Sequence, residues 1–182
     1  VKAQFLAILL LSLLFPSLIV ANPNITALET SANAGNSRAQ FDLAKAYYYG
    51  RDIQQDYPTA IKWLKQALRS DNPQAKTLMG LALTSGHGVK KNLEQAFQLF
   101  AEASRSKDGE AQYYLGQAYL KGKGTDANII SAYIWLTLSS HQAHSKQPEA
   151  KQTQQEVAKL MTPAQLNNAN ILVEQFKGMY EQ

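Results

Sequence analysis

The sequence contains no cysteine. Disulfides and thiolate chemistry are excluded whatever compartment the chain occupies, and stability has to come from a packed core. A lipid-modified cysteine is excluded as an anchor on the same ground. Charge is scarce and nearly balanced. In 182 residues, 18 Lys and Arg stand against 14 Asp and Glu, a formal net charge of +4. No basic run is long enough for a nucleic-acid groove. The three histidines make no metal site: His87 falls in a glycine loop, and His141 and His144 lie past a helix end with only Glu149 near them. The expected place of His141 and His144 is the surface, where a partial positive charge suits the helix dipole. Linker-like stretches rich in Gly and Ser, or in Pro, are missing after residue 21, so that part reads as one domain.

Long apolar runs are also missing. Residues 5–15 are almost wholly apolar, but the run is shorter than the ~20 residues of a spanning helix, and Pro16 interrupts it. With Lys2 before it and Ile19-Val20-Ala21 after it, the run reads as a signal peptide, residues 1–21, cut after Ala21. The expected product begins at Asn22, keeps no stable membrane anchor, and is periplasmic or secreted. Its formal charge falls to +3, because residues 1–21 hold Lys2 and no acid. Val1 in place of Met fits an alternative start codon, and so a bacterial host.

What the sequence does have is a register of 36 residues. Ala75, Met79, Gly80, Leu83, Gly86, Gly88, Asn92, Ala96, Leu99, Phe100 and Ala103 match Ala39, Leu43, Ala44, Tyr47, Gly50, Asp52, Asp56, Ala60, Trp63, Leu64 and Ala67 one step back. One step forward they match Ala111, Leu115, Gly116, Tyr119, Gly122, Gly124, Asn128, Ala132, Trp135, Leu136 and Ser139. Three copies in unbroken register are a repeat array.

Each copy reads as two helices, because the apolar positions fall at helical spacing on either side of the glycines. Asn36, Asn72 and Asp108 are placed to cap the first helix, and Asp56, Asn92 and Asn128 the second. Gln95, three residues after Asn92, completes a capping box. Gly50, Gly86 and Gly122 stand where the first helix must stop in a left-handed residue. Gly80 and Gly116 lie inside a helix, where glycine costs about 1 kcal/mol against alanine, so they mark close helix contact.

These rows resemble Sel1-like repeats, relatives of the tetratricopeptide repeat. The third copy carries the resemblance best, through Ala111, Leu115, Gly116, Tyr119, Gly122, Gly124, Ala132, Trp135 and Leu136. It departs at Thr125 and Asn128. The resemblance implies an all-α, right-handed α-solenoid of helix pairs with a C-terminal capping helix. The expected parts are an N-terminal half-repeat helix at 25–35, repeats at 39–74, 75–110 and 111–146, and a helical cap at 147–182. Within the cap, a helix from Gln152 to Leu160 precedes one that starts at Thr162-Pro163-x-Gln165 and forms a lid.

The resemblance also carries a groove. In tetratricopeptide repeats the first helix of each pair lines it, at offsets −1, 2, 6, 9 and 10 from the first alanine. The candidate binding residues are Arg38, Phe41, Lys45, Tyr48 and Tyr49 from copy one, Leu81 from copy two, and Tyr113, Gln117, Leu120 and Lys121 from copy three. Phe41 and Tyr113 have inward packing as their alternative. The expected function is a non-enzymatic scaffold or adaptor that binds a protein or peptide and needs no cofactor. The alternative is a cell-wall factor whose aromatics stack on peptidoglycan or another glycan. A β-lactam hydrolase is the remote third: Ser104-x-x-Lys107 and Ser70-Asp71-Asn72 match penicillin-binding motifs. Their order is reversed, they sit one copy apart at the same turn, and Lys76-Thr77-Leu78 departs from the third motif.

Overall fold

The computed structural model describes residues 23–180. The expected signal peptide and its cut after Ala21 lie outside them. The described chain is all-α and runs α1 Pro23–Asn33, α2 Ser37–Tyr49, α3 Tyr57–Leu68, α4 Pro73–Ser85, α5 Leu93–Arg105, α6 Gly109–Lys121, α7 Ile129–Ser140, α8 Gln147–Leu160 and α9 Pro163–Tyr180.

The capping residues set these boundaries. Asn36, Asn72 and Asp108 accept from the backbone N–H of Ala39, Ala75 and Ala111 at 2.9, 2.9 and 2.7 Å. Asp56, Asn92 and Asn128 accept from Thr59, Gln95 and Ser131 at 3.2, 3.0 and 2.9 Å. The first helices end in left-handed residues, Gly50, Gly86 and Gly122 at φ 66, 82 and 61°. At α9 the capping box is reciprocal: Thr162 N–H donates to Gln165 Oε1 at 2.9 Å, and Gln165 N–H donates to Thr162 Oγ1 at 3.2 Å. A second set of left-handed residues repeats at the turn between copies: Gly35, Asp71 and Lys107, at φ 89, 56 and 60°.

Packing follows the register. α2 lies on α3, α4 on α5 and α6 on α7, and each second helix then packs on the first helix of the next copy. α1 packs on α2 in the place of a preceding second helix. Leu43, Leu64, Leu115 and Leu136 have at most 1% of their surface exposed, and each is worth about 1.5–3 kcal/mol of burial. Gly80 and Gly116 make the pairs close. A Cβ on Gly80 would fall 2.6 Å from Phe100 Cε1, and one on Gly116 would fall 2.8 Å from Leu136 Cγ.

The C-terminal part leaves the register. α8 begins at Gln147, five residues before the expected Gln152. It continues the row of first helices, touching α6 and α7, but buries Ala150 and Val157 rather than the stripe of the first alanine. α9 lies on α7. Together they close a second core of Tyr133, Ile134, Leu138, Val157, Ala169 and Val173.

Candidate functional site

The first helices α2, α4 and α6 stand side by side. An open groove of about 520 Å³ crosses them. Arg38, Phe41, Lys45 and Tyr49 form one wall, Gln74 and Leu81 the floor, and Asp108, Glu110 and the loop 142–145 the other wall.

The five offsets carried over from the tetratricopeptide frame divide into two helix stripes. Offsets −1, 6 and 10 differ by seven and four residues and share one face; 2 and 9 differ by seven and share the next. The first stripe is open: Arg38 and Tyr49 are exposed, and Lys45 and Leu81 are half-buried. The second stripe points between copies, which takes Tyr48 out of the groove and leaves Leu120 half-buried beside the C-terminal core. Tyr48 is 7% exposed. Its ring meets Tyr49 and Tyr57 edge-on at 5.1 and 5.2 Å, and its hydroxyl lies 3.4 Å from Ser85 Oγ and 3.3 Å from His87 Nδ1. Leu120 packs into the C-terminal core. Phe41, on the same stripe, is 7% exposed, so only its edge reaches the groove. Tyr113, Gln117 and Lys121 line a separate, smaller cavity between α5 and α6.

The groove is polar at its rims and aromatic between them. Arg38 bonds Asp42 through Nε at 3.0 Å, and its guanidinium lies 5.9 Å from the Phe41 ring centre. Lys45 Nζ lies 5.8 Å from the same centre. Arg51 stands 5.2 Å over the ring of Tyr49, an exposed cation–π pair. The α2 wall is therefore basic. On the α6 wall, Glu110 accepts from Ser145 Oγ, and Lys146 pairs with Glu149 at 2.9 Å. Desolvation raises the Asp108 carboxyl above its ordinary range and likewise raises the Tyr114 phenol, which stays neutral. The arrangement presents fixed charge and neutral aromatic faces. A wider depression of about 930 Å³, between α3, α4 and α5, has Lys65, Lys90 and Lys91 on its rim and no aromatic lining.

The remaining chemical candidates have structural places. His87 is stacked on Tyr57, ring centres 4.4 Å apart. His144 lies over Gly109, its Nε2 3.0 Å from the Ser139 carbonyl and its Nδ1 accepting from Lys146 N–H at 3.1 Å. Among the described residues no group of three or more His, Cys, Asp or Glu could hold a metal. Ser104 is fully buried and donates to the Ala101 carbonyl at 2.8 Å, while Asn72 is occupied as the cap of α4. One feature escaped the sequence reading. Lys76, its side chain 12% exposed, pairs with Asp71 at 2.5 Å and Glu102 at 3.0 Å. Its counterparts Gln40 and Gln112 instead donate to the Ala32 and Ser104 carbonyls. The only trace in the sequence is a polar residue after each first alanine.

The Sel1 repeat family model matches residues 37–72, 73–108 and 109–144, two residues ahead of the frame set by the alanines. A Sel1 repeat protein from Oxalobacter formigenes is similar in structure, with a TM-score of 0.61 and 30% identity over 74% of this chain and 99% of that one. The protective antigen c5321 of uropathogenic Escherichia coli, which displays an SLR fold, matches with a TM-score of 0.62 over 84% of this chain. This chain spans 40% of that protein, and at 23% identity the likeness is one of fold. A comparison with curated proteins finds no match. Three consecutive matches over more than half of the sequence, on helix pairs with the spacing described, make this chain a member of the Sel1 repeat family.

Proposed function

We propose that this Sel1 repeat protein is an exported scaffold that holds a segment of another protein in the groove across α2, α4 and α6. The observation that carries the reading is Tyr49: it is 44% exposed beneath Arg51, on a wall that also offers Arg38 and Lys45. Tyrosine and arginine are enriched in binding hot spots: tyrosine buries a large ring with few rotors, and arginine presents a planar fork of donors. The basic wall suits an acidic or amphipathic segment. Export rests on the pattern of residues 1–21, and the intact mass of protein from the cell envelope is expected to place the N-terminus at Asn22. Full-length protein held in the cytoplasm would remove the envelope partner from the proposal.

An exposed tyrosine among polar groups also suits stacking on sugar, so peptidoglycan is the second reading. Capture of a protein from envelope extract, run beside sedimentation with purified peptidoglycan, separates the two. Charge steering weakens with ionic strength and stacking does not. Retention on an affinity column that falls with added salt supports the protein segment; salt-insensitive co-sedimentation supports the glycan.

A further inference from the structure

We infer that the cavity between α5 and α6 is an anchor site for one aromatic side chain, flanked by carboxylates, on the segment held in the groove. The inference rests on the groove reading above and names the chemistry of that partner.

The protein shows what such a cavity takes. Thr84 is the counterpart of Tyr48, Leu93 of Tyr57, Lys121 of Ser85 and Lys123 of His87, each 36 residues on. Between copies one and two the space is filled by the chain itself. The Tyr48 ring lies against Tyr57 and His87, and its hydroxyl reaches Ser85 and His87. Between copy three and the C-terminal core, the same position is Leu120, which packs there. In the middle copy it is Thr84, too short to cross. Its hydroxyl turns back to the Gly80 carbonyl at 2.8 Å. A cavity of about 220 Å³ remains, lined by Thr84, Leu93, Phe97, Phe100 and Tyr114 among others. An apolar cavity of about 150 Å³ holds a benzene ring. The space therefore fits one aromatic side chain, as it holds a tyrosine one copy earlier.

The rim sets the charge of the ligand. Lys121 and Lys123 are exposed at the mouth, and neither is in an ion pair among the described residues. No acid lines the cavity. Where copy two receives the Tyr48 hydroxyl with a serine hydroxyl and an imidazole, copy three offers two ammonium groups, which favour a carboxylate. Leu81 lines both this cavity and the groove. A segment lying along α2 and α4 can thus drop one side chain past Leu81 without leaving the basic wall.

The probe is an acetylated, amidated peptide Gly-Asp-Phe-Asp-Gly, titrated into the labelled protein and followed by NMR or calorimetry. Saturable binding is expected, with at least about a tenfold loss when Phe is replaced by Ala. Thr84→Tyr refills the cavity in the manner of Tyr48. It should leave the melting temperature equal or higher and weaken the peptide at least about tenfold. Lys121→Gln with Lys123→Gln should remove the preference for Asp over Asn in the peptide; this pair, with Thr84→Leu, carries the test should Thr84→Tyr fail to fold. Equal peptide binding by the wild type and a folded Thr84→Tyr overturns the inference, as does the lack of saturable binding. Envelope-partner capture separates it from the groove reading. Loss on Lys45→Gln with Tyr49→Ala but not on Thr84→Tyr leaves the groove standing and removes the anchor; loss on both supports both.

Discussion

Asp108 does in the third copy what Asn36 and Asn72 do in the first two. Its Oδ1 accepts the Ala111 N–H at 2.7 Å and the Thr77 hydroxyl at 3.3 Å, but it carries a charge into a half-buried place. Burial raises its pKa, opposed by the bond from Ala111. The folded chain then holds that proton more tightly than the unfolded chain does. Its contribution to stability is greatest in acid and is lost as pH rises from the ordinary carboxylate value through the raised one. Asp108→Asn keeps the acceptor and removes the titration. Melting against pH should show the variant equal to or above the wild type at neutral pH, with a flatter profile in the weakly acidic range; a lower melting point at neutral pH would contradict this. Asn72→Ala, which removes a cap with no charge at stake, should cost about 1 kcal/mol at any pH. The caps were legible because Asn and Asp three residues before an alanine have one local use. Burial of Asp108 was not, since it depends on Thr77 and the loop at His144, far away in sequence.

At the scale of the helix, the glycines in mid-helix and the small residue at the cavity make opposite predictions for one substitution. Gly80→Leu drives a side chain into the Phe100 ring, which is 4% exposed, and should cost about 1–3 kcal/mol of overpacking. Thr84→Leu, one turn further along α4, enters open space and should be near neutral. Denaturant titration of both checks the register; equal losses would contradict it. The helix faces were partly legible. Spacing alone identified the buried stripe of Leu43, Leu64, Leu115 and Leu136. It could not separate the two stripes of the first helices, because one residue, a turn of about 100°, decides whether a tyrosine faces solvent or the next copy. Tyr48 and Tyr49 are neighbours in sequence with opposite fates, 7% and 44% exposed. The departure of α8 from the register had a visible sign: Lys151 stands where earlier copies have a buried leucine or methionine, Leu43, Met79 or Leu115.

As a whole, the molecule is a stack in which each helix pair is completed by its neighbours, so stability is shared along the array. α9 closes it by covering the outer face of α7, where Ala169 and Val173 are at most 2% exposed. Removing residues 163–182 should cost several kcal/mol, from about 1.5–3 kcal/mol for each large buried side chain lost, and should expose dye-binding apolar surface. Unchanged melting of the truncated chain would show that α9 is not part of the fold. The array itself was plain from a recurrence of 36 residues; the groove was not, since it depends on how α2, α4 and α6 lie against one another and on the loop after α7. The central claim is that the open stripe of those helices binds a protein segment. The measurement that tests it most directly is envelope-extract capture by the wild type and by Lys45→Gln with Tyr49→Ala, side by side, with helical CD and melting on both. The account predicts an unchanged fold and a captured partner weakened by at least about 1–2 kcal/mol; full capture by the folded variant would contradict it.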